Sequence, residues 1–176
     1  MICWLFMVLW LNGLCFGSEK AEESLATQLT TCTDKKLGVE FLCGAEWQLE
    51  TDQDALLMII SEEPAITLTV AKTKSPVTFV EELSQPVLKE IGQYADHFDF
   101  KRTKVAGEEA IEVNAVAEKF PEIRLRDFYI LRGSQLYSIL FSVNPQEALE
   151  RYQPLFKKII ESIVFSDQQS VLSDQN

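Results

Sequence analysis

The chain is 176 residues long, with 47% hydrophobic and 24% charged residues. This composition is ordinary for a globular protein, and the length favours a single domain over a largely disordered chain. The formal net charge is -11, from 16 Lys and Arg against 27 Asp and Glu. A surface this acidic repels phosphate groups, so general binding to nucleic acids or to anionic membranes is disfavoured.

The N-terminal segment has the pattern of a targeting signal. Residues 1–17 contain no charged side chain, and their apolar run is shorter than the roughly 20 residues of a transmembrane helix. Cys15 and Gly17 are small residues at the positions that a signal peptidase reads, which predicts cleavage after Gly17. No Lys or Arg precedes the apolar run, which such a signal usually has. Cys15 also allows a lipidated N-terminus, although Leu14 stands where a lipobox has a small residue, and a retained anchor is a further alternative. All three predict a secreted, periplasmic or cell-envelope protein that meets a membrane only through its N-terminus.

Removal of residues 1–17 would leave two cysteines, Cys32 and Cys43. An even pair in an exported protein favours a structural disulfide over two buried free thiols. The bond would close a short loop and contribute about 2–3 kcal/mol to stability. A zinc site is disfavoured because His97 is the only histidine available to complete a ligand set. No metal and no cofactor is therefore expected.

The domain is expected over residues 32–166. Residues 18–31 are polar and predict a flexible lead-in, and residues 167–176 predict a disordered tail. Alternation of apolar and polar residues predicts strands at 37–41 and 66–70, and a turn at Gly44 leads into a segment at 46–49. The continuous apolar run at 55–60 fits a strand covered on both faces.

Two helices are predicted. Thr78 and Glu81 have the spacing of a capping box, and Gly92 supplies a stop. Because an interior proline breaks the helical hydrogen-bond pattern, Pro86 implies either a bend or a second helix start at Ser84. The last helix is expected to be capped by Asn144 and to run to about residue 163, with a proline in its middle.

Between these helices the alternation predicts strands near 96–105, 109–118, 123–132 and 134–143, with a tight hairpin at 132–134. The order is four strands, a helix, four strands and a helix. A largely antiparallel sheet with a helix on each face satisfies this order, so the fold class is α+β.

Two stretches carry a resemblance to a known family. Residues 34–41 (DKKLGVEF), leading to Glu46-Trp47, are similar to the opening of PsbP-like domains. Residues 137–142 (YSILFS) and 158–165 (KIIESIVF) resemble the closing strand and helix of that family. The chain has Cys43-Gly44 where the family usually has a proline. The resemblance implies an α/β/α sandwich and a non-enzymatic role in docking on, assembling or stabilising other proteins.

The residues themselves indicate no active site. His97 lies between Asp96 and Asp99 and could serve as a general base, but a solvent-facing histidine on an acidic strand is the favoured interpretation. Neither a Gly-x-Ser-x-Gly elbow nor a glycine-rich phosphate loop occurs in the sequence. We therefore expect no catalytic residue, and Trp47 is expected in the core.

Three arginines stand out against the acidic background. Arg124, Arg126 and Arg132 share one face of a predicted strand, with Phe128 and Ile130 between them. They could contact an acidic partner, although pairing with neighbouring glutamates is the favoured alternative.

The function that these observations favour is an exported accessory domain that docks on another protein. The alternative is a carrier of a small ligand or lipid, with an apolar cleft near Tyr152 and Phe156. A filled core at that position would count against the carrier.

Overall fold

The computed structural model describes residues 29–52 and 54–166, so the predicted signal peptide and C-terminal tail lie outside the described residues. The described residues form ten strands: β1 (Leu29–Asp34), β2 (Val39–Gly44), β3 (Gln48–Thr51), β4 (Ala55–Ser61), β5 (Ala65–Lys74), β6 (Ala95–Val105), β7 (Glu108–Ala117), β8 (Phe120–Arg132), β9 (Gln135–Asn144) and β10 (Val164–Phe165). The α-helices are α1 (Ser84–Ile91) and α2 (Ala148–Ser162), and a 3₁₀ turn spans Val80–Glu82.

Seven strands form one antiparallel sheet in the order β3-β4-β5-β9-β8-β7-β6. Alternate residues of each strand point to opposite faces of a sheet, so the two faces can be read from the burial pattern. On β8, Phe128 lies in the buried cluster that includes α2, while Tyr129 lies in the cluster that includes α1. The two helices therefore lie on opposite faces, and the predicted α+β sandwich is confirmed.

The two helices pack against different parts of the sheet, one on each face. On the face of α2, called here the α2 face, the cluster joins Tyr152, Phe156 and Ile159 to Leu68 and Phe141 of the central strands. On the opposite face, called the α1 face, Val87 and Ile91 of α1 cluster with residues of β6 to β9. Among the described residues, side chains of the sheet outside these two clusters are less buried. β4 shows the effect, because Leu57 and Ile59 on the α1 face are only partly buried. The expectation that this strand is covered on both faces was wrong.

A second, three-stranded sheet has the order β1-β2-β10 and packs on the α2 side of the molecule. Its first strand begins at Leu29, so residues 29–31, expected in the lead-in, belong to a strand. Cys32 of β1 and Cys43 of β2 are diagonal neighbours, since Cys43 pairs with Thr30, and they form a disulfide with a Cα–Cα distance of 5.8 Å. Trp47 is buried, as expected, and lies directly over Gly44, where a Cβ atom would collide with the indole ring. The close packing of this turn explains the glycine.

The expected capping box at Thr78 and Glu81 was wrong. Glu82 is the carboxylate that accepts from the backbone N–H groups of Thr78 and Phe79, each at 3.4 Å, and only a 3₁₀ turn follows. The α-helix starts separately at Ser84, which places Pro86 in its first turn, where no backbone donor is required. Gly92 ends the helix as predicted.

The last helix also begins later than expected. Asn144 does not cap it, because that residue still pairs with Ala65 as the end of β9. Glu147 occupies the N-cap, and α2 runs from Ala148 with Pro154 inside it. Because of this later start, Leu149 lies in the first turn of α2, where it borders residues of β6, β7 and β8.

Candidate functional site

A shallow depression lies on the α2 face, where β6, β7 and β8 extend beyond the start of α2. Its volume is about 550 Å³. Strand pairing builds it, because His97, Val116 and Arg124 stand side by side on three neighbouring strands. We call it the polar depression after His97, Asp99, Asn114 and Arg124. Apolar residues, among them Val116 and Leu149, complete its lining.

Charged and polar side chains of β6, β7 and β8 on the α2 face are connected by hydrogen bonds and ion pairs. Glu112 is 4% exposed and receives hydrogen bonds or ion pairs from Arg126 at 2.9–3.0 Å and from Lys101 at 3.3 Å. Asn114 donates to Asp99 at 2.9 Å. A carboxylate that meets two cations can be buried without a large desolvation cost, so this network fixes the floor beside the depression.

Arg124 differs from the other two predicted arginines. Its Nη1 atom is buried and has no hydrogen-bond partner among the described residues. Arg126 is bound to Glu112, and its guanidinium lies 5.3 Å from the centre of the Phe128 ring. Arg132 is about 20 Å further along β8, where it donates to Glu108 at 3.2 Å and stacks over Phe165. The structure therefore places only Arg124 and Arg126 at one site.

A second polar cluster lies under α1, on the opposite face. Asp127 is 5% exposed and accepts hydrogen bonds from Ser138 at 2.9 and 3.2 Å. Burial raises the pKa of Asp127 to about 6, against the opposing effect of hydrogen bonds from Ser138 and Tyr129. The hydroxyls of Tyr94 and Tyr129 are 3.5 Å apart, and burial raises the pKa of Tyr94 to about 12.

These groups do not assemble into a catalytic triad. The strand register places His97 on the α2 face, whereas Asp127 and Ser138 lie on the α1 face. The thickness of the sheet separates the histidine from both of them, so neither can use it as a base. Within the described residues, no group of three or more His, Cys, Asp or Glu side chains is arranged to hold a metal ion.

The sequence analysis did not single out Asp127 or Glu112. A signal for Asp127 was present, because it interrupts an apolar face formed by Leu125, Tyr129 and Leu131. A carboxylate among residues of a buried face is a candidate for a shifted pKa. Glu112 gave no such signal, since it alternates with apolar residues in the manner of any exposed strand position.

The architecture is that of the PsbP-like fold, as the resemblance implied. Cyanobacterial PsbP (CyanoP) from Synechocystis sp. PCC 6803 is similar, with a TM-score of 0.58 and 14% identity, and the match covers 87% of this chain and 98% of that one. The Ran-binding protein Mog1p of Saccharomyces cerevisiae has a TM-score of 0.58 and 8% identity, with 80% and 96% of the two chains covered.

LpqN of Mycobacterium tuberculosis, described as involved in cell envelope biogenesis, matches with a TM-score of 0.50 and 10% identity, covering 88% of this chain and all of that one (100%). No protein-family model and no curated protein matches the chain by sequence. At these identities the comparisons establish the fold. Within the described residues, neither α-helix has the length and apolar stretch that a membrane crossing requires.

Proposed function

We propose that this protein is a non-catalytic accessory domain that docks on another protein through the polar depression, and that it does so outside the cytoplasm. The unpaired Nη1 of Arg124 carries the proposal. A buried guanidinium nitrogen without a partner is costly, and a carboxylate from a bound protein would satisfy it. Asp99 and Asn114 beside it offer polar groups to the same partner.

The proposed partner surface contains an acidic group presented on a convex segment. The net charge of -11 disfavours long-range attraction of such a partner. Recognition therefore depends on contacts made at short range, at Arg124 inside the depression and at Arg126 two residues further along β8. Charge complementarity of this kind contributes more to specificity than to affinity.

The packing of α2 favours docking over the carrier alternative. Tyr152 and Phe156 are 5% and 1% exposed, and the Phe156 ring stacks on Phe141 with 4.2 Å between ring centres. The space where an apolar ligand was expected is filled by side chains. The depression outside the helix is instead shallow, and its lining mixes charged and polar side chains with apolar ones, which suits a protein surface better than a lipid chain.

A site-specific crosslinking experiment tests the docking proposal. A photoreactive residue placed at position 97 should give a discrete adduct with one protein in the native host, and Arg124→Glu should abolish that adduct because it reverses the charge that the partner meets. Lys158 is an exposed position on α2 and provides the matched control, which should give no adduct. An adduct at 97 with a protein other than a second copy of this chain would contradict the proposal if it persisted in R124E.

Export is supported by the Cys32–Cys43 disulfide, since such bonds persist in oxidising compartments. We expect intact mass spectrometry of protein from the native host to show a chain that begins at Ser18 and gains two hydrogens on reduction. A chain that retains residues 1–17 with free thiols would remove the support for export and would favour a cytoplasmic role. Because the mass measurement is independent of Arg124, the two parts of the proposal can fail separately.

A further inference from the structure

We propose that two copies of this chain associate through the free edge of β6, in antiparallel register with Phe100 opposite Phe100, to form one continuous sheet across a two-fold axis. The inference concerns the edge of the sheet and does not depend on the proposed function.

The β6 edge is long and partly apolar. β6 spans 11 residues and is the last strand of the seven-stranded sheet, and among the strands that the structure describes it pairs only with β7. Phe98 and Phe100 are 37% and 47% exposed on its α1 face. An edge strand of this length with exposed aromatic residues is a template for pairing with another strand. β3 at the opposite edge has only four residues and offers much less.

The charge pattern of β6 indicates that the strand pairing with it is β6 of a second copy of this chain. Its sequence, ADHFDFKRTKV, places its carboxylates in the first half and its cations in the second. A second copy running antiparallel reverses this order. With Phe100 at the two-fold axis, Asp99 meets Lys101 of the other copy, and Phe98 meets Arg102. Both pairs occur twice in the dimer because of the symmetry.

The register is selective. If the α1 faces of the two copies form one surface, paired residues must point to the same face. The register can therefore shift only in steps that keep this match. The first such shift in one direction pairs Asp99 with Asp99 of the second copy. The first shift in the other direction pairs Lys101 with Lys101 of the second copy. Like charges directly opposite each other destabilise a strand pair, whereas opposite charges stabilise it. The register centred on Phe100 avoids both like-charge pairs.

Existing contacts of these side chains are compatible with the pairing. Lys101 already contacts Glu112 at 3.3 Å, but 63% of its side chain is exposed. An ammonium group has three donors, so Lys101 can hold Glu112 and a carboxylate of the second copy together. Arg102 is 61% exposed and bound to Glu81, which leaves the outer side of its guanidinium plane available to an aromatic ring.

A disulfide-trapping experiment tests the register in the full protein purified from an export-competent host. In the proposed dimer the two Cα atoms at position 100 lie about 4.5–5.5 Å apart, inside the range that a disulfide spans. Phe100→Cys should therefore crosslink under mild oxidation. Phe98→Cys is the matched control, since it changes the same residue type on the same face, but its copies would be about 14 Å apart. We expect about tenfold more crosslinked dimer from F100C than from F98C.

Charge exchange gives a second readout by sedimentation equilibrium. Lys101→Glu places two like-charge pairs in the interface and should weaken the dimer about tenfold. Adding Asp99→Lys to K101E restores opposite charges and should restore association, although both changes disturb contacts within one chain. Circular dichroism confirms that each variant is folded. A monomeric wild-type protein, equal crosslinking of F100C and F98C, or no rescue by the double variant would each overturn the proposal.

Discussion

Replacing Phe156 by alanine should lower the free energy of unfolding by about 3–5 kcal/mol, which is the usual cost of removing a buried aromatic ring from a packed core. Phe156 is 1% exposed and lies between α2 and the sheet, where its ring stacks on Phe141. The loss of stability is expected to be large because α2 is the helix that packs on this face of the sheet. Urea denaturation of the purified protein measures it.

Phe79→Ala is the matched control for this measurement. It removes the same ring from a position that is 63% exposed, so the free energy of unfolding should change by no more than about 0.5 kcal/mol. If F156A cost no more than F79A, the ring would not be part of a packed core. The carrier hypothesis would then regain the apolar space that it requires.

Replacing Asp127 by asparagine should remove a pH dependence of stability between about pH 4 and pH 6. Burial raises the pKa of Asp127 from 3.8 to about 6 in the folded protein. The folded state then binds the proton more tightly than the unfolded state does, so stability falls as pH rises through this window and is level above it. At about 1.4 kcal/mol for each tenfold difference in proton affinity, the total change is about 3 kcal/mol.

Asparagine keeps the shape and the acceptor oxygen of Asp127 but carries no charge at any pH. The stability of D127N relative to the wild type should be greater at pH 8 than at pH 4 by about 2.5 kcal/mol, because a small part of the total change already occurs below pH 4. Urea denaturation at both values measures this difference. Glu122→Gln on the same strand is the control, because its carboxylate is exposed, and it should leave the wild-type profile in place. The same pH dependence in D127N and wild type would show that another group causes it.

Much of the sheet could be predicted because its strands alternate strictly. The four strands from β6 to β9 were placed within a few residues of their observed bounds, and the Arg132-Gly133-Ser134 hairpin lies where it was expected. β1 was missed because its sequence, LTTCTD, is polar and its strand forms by pairing with β2. The start of α2 was missed because Asn144 and Pro145 fit a helix start locally, while the pairing of Asn144 with β5 prevailed.

The candidate site could be predicted only in part. That Arg124, Arg126 and Arg132 share a face follows from their spacing, and the strand register confirms it. What separates Arg124 from the others depends on side chains from other strands, since Glu112 of β7 and Glu108 at its start bind the other two. Alternation along one strand gives no information about which neighbour faces it. The depression itself requires the position of α2, which local patterns placed too early.

The order of the strands has a consequence for folding. β3-β4-β5 and β6-β7-β8-β9 are two groups in which each strand pairs with the next one along the chain, whereas the contact between β5 and β9 joins residues about 70 positions apart. Within the seven-stranded sheet, the entropy of closing a long loop is therefore concentrated in a single strand pair. Each of the two groups can form from local contacts. The pairing of β5 with β9 then joins the groups, and it also completes the surface on which α2 packs. We therefore expect the pairing of β5 with β9, at the centre of the sheet, to limit the rate at which the seven-stranded sheet forms.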